Sequence, residues 1–157
     1  MRFAGVIFDL DGTLADTRVD LADAMNRVLA AERLPVHDYA SFGAMIGGGV
    51  RNLVTEALPV ERRTDETIAR CAAAMMADYG RHCLVKTRLY DGIAETVARL
   101  RAAGVRLAVL SNKPDELTRE IVEGLLRADD FEEIVGARPD TPPKPDPAVA
   151  LRVGRAR

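Results

Sequence analysis

Residues 3–14 read FAGVIFDLDGTL, and this stretch decides the fold. Its first half, from Phe3 to Phe8, is a short apolar run containing Val and Ile, as expected of a strand buried in a parallel sheet. The run ends at Asp9, and the turn-forming pair Asp11-Gly12 follows two residues later. The stretch therefore predicts a buried first strand with an acidic cluster at its carboxyl end.

The rest of the chain alternates between helical and strand patterns. Helices are predicted at about 17–34, 49–58, 64–82, 93–104, 114–126 and 147–153. Further strands are predicted at about 105–110 and 131–136. Residues 38–84 lack an alternating strand pattern. We therefore predict an α/β protein, with a Rossmann-like parallel-sheet core at 1–15 and 85–157 and an all-helical insert at 16–84.

The first predicted helix begins just after the acidic cluster. Thr17 and Asp20 have the spacing of a weak capping box, so we expect their side chains to cap its first turn. Pro35 cannot continue a helix, and the helix is therefore expected to end near Leu34.

Composition narrows the class of partner. The chain has 157 residues, 48% of them hydrophobic, which is enough to bury a core. Its 22 basic and 24 acidic residues nearly cancel, so no strong field favours nucleic acid or a membrane surface. Cys71 and Cys83 lack metal-ligand spacing and are too few for a disulfide framework. We expect a cytoplasmic protein without a signal peptide, acting on a small molecule.

The paired aspartates point to a specific chemistry. Two carboxylates two residues apart at a strand end crowd negative charge, which is costly unless a cation or a shared proton compensates. A hard divalent ion such as Mg²⁺ fits Asp9 and Asp11. The alternative is an Asp-Gly turn after a buried strand, in which one aspartate only caps the loop.

The run from Asp9 to Leu14, DLDGTL, resembles the first motif of the haloacid dehalogenase superfamily. The resemblance implies that Asp9 attacks phosphorus to form an aspartyl-phosphate, and that Asp11 protonates the leaving oxygen and then activates water. It also implies that Thr13 helps to bind phosphate, and that Mg²⁺ is held by Asp9 and the main-chain carbonyl of Asp11. An aspartate at position 11 favours phosphate esters as substrates, because the family's dehalogenases lack it.

Two later positions resemble the family's second and third motifs. Ser111 ends the second predicted strand, and the resemblance implies that its hydroxyl binds the transferring phosphoryl group with help from Asn112. Lys144 follows Ser111 by 33 positions in a Pro-rich loop, and it resembles the lysine that offsets the charge of nucleophile and phosphate. Taken singly, a Ser-Asn pair is commonly a turn or cap, and a lone Lys is commonly a surface charge.

The family's fourth motif is an acidic cluster on the strand after the lysine loop, and no match to it precedes Arg157. The resemblance therefore leads us to expect an incomplete metal shell and an exposed hydrophobic edge beside the first strand. A truncated form, a defective product and a natural short form all stay open as explanations.

The helical insert occupies the position of the small cap in the phosphoglycolate phosphatase-like members of the family. Within it, residues 46–51 read IGGGVR and resemble their glycine-containing substrate loop. The backbone at Gly48 and Gly49 would approach a substrate carboxylate, and Arg51 would add a charge-assisted hydrogen bond. The alternative is a flexible helix connection with an exposed Arg.

Together, these resemblances predict a phosphatase that hydrolyses a small phosphomonoester, with 2-phosphoglycolate as the leading substrate. A sugar-phosphate mutase is disfavoured, because such members carry a hinge histidine soon after the first motif and no His precedes His37 here. The first alternative is a broad-range sugar-phosphate or pyrophosphate phosphatase, and the second is a non-catalytic phosphate-binding or interaction protein. We expect a monomer or a homodimer.

Overall fold

The computed structural model describes residues 3–46 and 48–155. Their strands are β1 (Gly5–Phe8), β2 (Ala15–Asp16), β3 (Arg88–Leu89), β4 (Arg106–Pro114) and β5 (Glu133–Ala137). Their α-helices are α1 (Arg18–Ala31), α2 (Phe42–Met45), α3 (Val50–Ala57), α4 (Asp65–His82), α5 (Ile93–Ala102), α6 (Asp115–Leu125) and α7 (Ala148–Arg155). No helix in this part of the chain is long and apolar enough to cross a lipid bilayer.

The chain divides into two units, a sheet unit and a helical unit. The sheet unit contains the residues up to Asp16 and those from Arg88 onward, and the helical unit is Thr17–Thr87. The sheet unit is built on a parallel sheet with strand order β1-β4-β5, against which α5, α6 and α7 pack. A small antiparallel pair joins β2 to β3. The parallel sheet with its helices confirms the predicted α/β fold with a Rossmann-like core.

The central strand β4 is the most buried of the parallel strands. Leu107, Val109 and Leu110 are each at most 6% exposed. Because β4 has a strand on each side and helices packed against it, an uninterrupted apolar run is the stable choice there. The strand also extends to Pro114, four residues beyond its predicted end, and therefore includes the polar residues that follow Leu110.

The first strand is less buried than its apolar sequence predicts. Ile7 is 39% exposed, and Val6 and Phe8 are only partly buried. Within the described residues, β1 pairs with β4 alone and therefore forms one edge of the sheet. The prediction of a buried first strand is thus wrong in degree: the strand is present, but it is half-buried.

The second unit is helical, as its lack of an alternating pattern predicts. Helix α4 packs against α1 and α3. The side chains that fill this core are fully buried, and the largest are those of Met25, Leu29, Phe42, Val54, Leu58, Met75 and Tyr79. Thr64 caps α4, because its side-chain oxygen accepts a hydrogen bond from the Thr67 N–H at 3.2 Å.

The start of α1 differs from the predicted capping box. Thr17 makes no side-chain cap hydrogen bond. Asp20 is only 2% exposed, and its carboxylate accepts hydrogen bonds from the N–H groups of Lys86, at 2.9 and 3.0 Å, and Thr87, at 2.8 Å. A buried carboxylate needs such donors, and here distant backbone supplies them. Asp20 therefore ties the first helix of this unit to its last residues.

The end of α1 also differs from the prediction. The helix ends at Ala31, three residues before Leu34. Arg33 has a left-handed φ of 58°, and the Leu34 N–H donates to the Leu29 carbonyl at 2.8 Å. This is the geometry of a left-handed C-terminal cap, which closes the helix before Pro35 is reached.

Candidate active site

The loop after β1 is tightened by hydrogen bonds to a single carbonyl group. The Leu10 carbonyl accepts the N–H groups of Thr13, Leu14 and Ala15 at 3.2, 3.0 and 3.1 Å. Gly12 has a φ of 78°, a left-handed value that a side chain would disfavour. The buried side chains of Leu10 and Leu14 anchor the turn in the hydrophobic core. The two aspartates on either side of Leu10 therefore project from a fixed turn.

Lys144 lies against the first aspartate. Its Nζ donates hydrogen bonds to Asp9 Oδ1 at 2.6 Å and to the Leu110 carbonyl at 2.8 Å. The side chains of Lys144 and Asp9 are 32% and 42% exposed. An ion pair this exposed contributes little to folding stability. The sheet therefore brings together two candidate residues 135 positions apart, in an arrangement suited to chemistry more than to stability.

The second candidate segment lies in an irregular part of β4. Leu110 pairs with Val135 and Pro114 pairs with Ala137, so four steps along β4 match two steps along β5. The extra residues bulge at the carboxyl end of the sheet, which is where open α/β sheets bind ligands. Ser111 lies in this bulge and is 3% exposed.

The Asn112 side chain holds the backbone of the lysine loop. Its Oδ1 accepts the Lys144 N–H at 2.7 Å, and its Nδ2 donates to the Lys144 carbonyl at 3.0 Å. Both ends of the amide thus bind one residue 32 positions away. This contact makes Asn112 a positioning residue for the lysine loop, whereas its predicted contact with phosphate stays a prediction.

Lys113 is a site residue that sequence reasoning missed. Its side chain is only 5% exposed, and its Nζ lies 3.3 Å from Asp11 Oδ1. Its N–H donates to Ser111 Oγ at 3.1 Å, which joins the two residues within the bulge. The second strand was predicted to end at Leu110, so strand alternation was not expected to place Lys113 beside Ser111.

Asp115 directly follows β4, and its carboxylate is held by three hydrogen bonds. Its carboxylate accepts hydrogen bonds from the Gly136 N–H at 2.8 Å and from Arg119 and Arg138, both at 3.0 Å. Burial raises the pKa of Asp115, but these hydrogen bonds outweigh burial and hold the pKa below its ordinary value of 3.8. A Cβ on Gly136 would lie 2.4 Å from the Asp115 Cα, so the packing there requires glycine.

The predicted substrate loop lies in the helical unit. Gly48 and Gly49 are exposed and precede α3, and Gly47 lies outside the described residues. Arg51 forms an ion pair with Asp65, and their side chains are 63% and 94% exposed. The roles of Gly48, Gly49 and Arg51 in substrate binding stay predictions.

The donor atoms at the acidic loop fit a magnesium ion. Asp9 and the carbonyl of Asp11 offer hard oxygen ligands, and Mg²⁺ commonly takes one or two carboxylates and completes its shell with water and substrate phosphate. Thr13, two residues beyond Asp11, is exposed. Among residues 3–46 and 48–155, no group of three or more His, Cys, Asp and Glu side chains is arranged to hold a metal.

An open parallel sheet whose strand ends carry paired aspartates and lysines defines a class of α/β hydrolases. The model of the haloacid dehalogenase-like hydrolase family matches residues 3–156, and the chain belongs to this family. The match confirms the resemblance seen in the DLDGTL motif.

Curated relatives and solved structures agree with this assignment. A phosphoglycolate phosphatase of Colwellia psychrerythraea is 34% identical over 148 residues, which is 91% of this chain. An N-acetylmuramic acid 6-phosphate phosphatase of Pseudomonas aeruginosa is 33% identical over 151 residues, which is 96% of this chain. The chain spans 66% of the length of each of these two relatives, just under two thirds.

One solved structure extends the comparison to three dimensions. The crystal structure of a predicted phosphoglycolate phosphatase from Haemophilus somnus has a TM-score of 0.87 and 29% sequence identity to this chain. The similarity covers 96% of this chain and 69% of that chain. The likeness therefore includes nearly all of the described residues.

Proposed function

We propose that this protein hydrolyses small phosphomonoesters, with the phosphoryl group carried transiently on Asp9. The observation that carries the proposal is the 2.6 Å hydrogen bond from Lys144 Nζ to Asp9 Oδ1 at the carboxyl end of the sheet. A nucleophilic carboxylate and a dianionic phosphate repel each other, and a fixed ammonium beside both offsets that repulsion.

The first step transfers the phosphoryl group to the protein. An Asp9 carboxylate oxygen forms a bond to phosphorus as the ester P–O bond breaks, and Asp11 gives a proton to the departing alcohol oxygen. Asp11 is suited to this role because the fixed turn holds it two residues from the nucleophile. The products of this step are the free alcohol and an acyl phosphate on Asp9.

The second step returns the nucleophile to its starting state. The ionised Asp11 takes a proton from a water molecule, the water oxygen bonds to phosphorus, and the bond between phosphorus and Asp9 breaks. Ser111 and Lys144 contribute a hydroxyl and an ammonium that stabilise the phosphoryl oxygens in both steps. When bound by Asp9 and the Asp11 carbonyl, Mg²⁺ would supply further neutralisation of the phosphoryl charge.

For the substrate, we propose 2-phosphoglycolate as the leading candidate. The names of the Colwellia and Haemophilus relatives support it, as does the glycine loop that precedes Arg51. We propose that the helical unit serves as the cap and that Gly48, Gly49 and Arg51 bind the substrate carboxylate. The Pseudomonas relative favours the second candidate, a phosphatase that accepts sugar phosphates.

The proposal is tested by measuring Mg²⁺-dependent phosphate release from 2-phosphoglycolate, a hexose 6-phosphate and pyrophosphate. Asp9→Asn is compared with Asp129→Asn, which removes an exposed carboxylate at the amino end of β5. We expect Asp9→Asn to abolish release and Asp129→Asn to retain the wild-type rate. Phosphate binding without turnover by the unaltered chain would instead support the non-catalytic alternative.

A further inference from the structure

Lys113 gives the candidate site a second cation. It lies beside Asp11, whereas the first, Lys144, lies beside Asp9. We infer that Lys113 makes the site selective for phosphomonoesters whose leaving group is itself an anion, such as a small hydroxy acid. The inference rests on the proposed function, because it uses the role assigned to Asp11. In this inference Lys113 acts on the leaving group of the substrate, whereas Lys144 acts on the phosphoryl group.

The two lysines are divided between the two aspartates. Lys144 Nζ lies 2.6 Å from Asp9 Oδ1, and Lys113 Nζ lies 3.3 Å from Asp11 Oδ1. When Asp11 holds the proton that it gives to the leaving oxygen, only Asp9 is ionised, and these four side chains carry a net positive charge. When bound by Asp9 and the Asp11 carbonyl, Mg²⁺ would offset the phosphate dianion, and Lys113 would offset an additional anion on the leaving group.

The position of the leaving group follows from the role of Asp11. A carboxyl that protonates the leaving oxygen must reach it through a hydrogen bond of about 2.7 Å. Lys113 Nζ lies 3.3 Å from Oδ1 of that carboxyl, so a group one or two carbons from the leaving oxygen would lie within about 10 Å of the ammonium. Because the Lys113 side chain is 5% exposed, its field is screened less than that of a surface lysine.

Burial argues against a purely structural role for Lys113. An ammonium is costly to bury, and a buried ion pair is often no more stabilising than a well-packed apolar pair of similar volume. Leu107 and Val109, earlier on the same strand, are apolar and almost fully buried, so β4 accommodates apolar side chains in its buried positions. Burial of this ammonium beside Asp11 therefore fits a role toward the substrate.

The test compares binding of 2-phosphoglycolate with binding of its amide, which has the same size but lacks the carboxylate charge. Dissociation constants are measured by calorimetry with Mg²⁺, using Asp9→Asn to prevent turnover, with and without Lys113→Met. We expect Lys113→Met to weaken 2-phosphoglycolate binding at least about tenfold and binding of the amide less than about threefold. Lys113→Gln provides a second neutral variant if Lys113→Met does not fold.

Arg152→Met is the matched control, because it removes one positive charge that pairs with Glu133 at the amino end of β5. It is expected to leave the ratio of the two dissociation constants unchanged. The inference would be overturned if Lys113→Met weakened the binding of 2-phosphoglycolate and of its amide equally, or weakened neither. Hydrolysis by the unaltered chain with an unchanged ratio would refute the selectivity while leaving the proposed function intact. If Lys113→Met changes this ratio but the unaltered chain does not hydrolyse 2-phosphoglycolate, the selectivity stands and the proposed function is refuted.

Discussion

The carboxyl end of the parallel sheet and the glycine loop of the helical unit are held by different kinds of interaction. At the sheet, the Leu10 carbonyl accepts three N–H groups, and Asn112 binds Lys144 through both ends of its amide. Beside the glycine loop, in the first turn of α3, the predicted ligand Arg51 forms an ion pair with Asp65, which is almost fully exposed. Backbone hydrogen bonds fix a side chain, whereas an exposed ion pair exchanges readily with water or a ligand.

This difference fits the separate tasks that we propose for the two regions. A reacting group must be held within a fraction of an ångström, and rigid strand ends supply that precision. A group that recognises the remote part of a substrate tolerates a more adaptable setting. We therefore expect changes at the sheet to lower kcat, and changes in the glycine loop to raise KM.

The largest effect among the supporting residues is expected for Asn112→Ala. Loss of both hydrogen bonds to Lys144 frees the lysine loop, and a misplaced ammonium is expected to lower kcat about 10- to 100-fold with little change in KM. Steady-state kinetics with 2-phosphoglycolate measure this. Because Asn112 acts through Lys144, the double variant with Lys144→Met is expected to be no slower than Lys144→Met alone. Additive losses would show that Asn112 has a separate role.

A smaller effect, on stability, is expected at Asp115. Its folded-state pKa is lowered, so its contribution to stability is present above the unfolded pKa of 3.8 and is lost as the pH falls through the folded value. Asp115→Asn is therefore expected to unfold at lower urea concentration than wild type at pH 7, with the difference shrinking below about pH 4. Asp129→Asn, at an exposed site, should show no such pH-dependent difference. If the urea midpoints of Asp115→Asn and wild type differ by the same amount at every pH in this range, the lowered pKa of Asp115 is contradicted.

The smallest effect is expected for Arg51→Met in the glycine loop. Removing the charge-assisted contact that we propose with a substrate carboxylate is expected to raise KM for 2-phosphoglycolate about 3- to 10-fold without lowering kcat. Arg70→Met is the matched control, since Arg70 forms an ion pair with Glu32 in the same helical unit. Equal KM values for the two variants would remove Arg51 from the proposed substrate site and would favour a simple helix connection.

Much of the sheet could be predicted from sequence because its signals are local. The apolar run before Asp9 and the Asp-Gly turn after it are contiguous, and the structure has both at the expected places. Burial of β1 was overestimated because the number of neighbouring strands is a property of the whole sheet. Periodicity reports which side of a strand is apolar, but it carries no information about what covers that side.

The features that sequence reasoning missed all depend on distant partners. Lys113 meets Asp11 because β4 bulges against β5, and a register shift leaves no mark on local composition. Asn112 binds a backbone 32 residues away. The predicted cap at Asp20 was wrong because its carboxylate instead accepts hydrogen bonds from the backbone N–H groups of Lys86 and Thr87. Short polar side chains have several possible hydrogen-bond partners, and tertiary structure decides among them.

The most direct test of the central claim is to trap the phosphoryl group on the protein. The chain is mixed with 2-phosphoglycolate and Mg²⁺, quenched in acid, reduced with borohydride to convert an acyl phosphate to homoserine, and digested for peptide mass mapping. We predict homoserine at position 9, dependent on substrate and absent from the Asp9→Asn variant. Phosphate release without modification at position 9, or modification at another aspartate, would contradict Asp9 as the nucleophile.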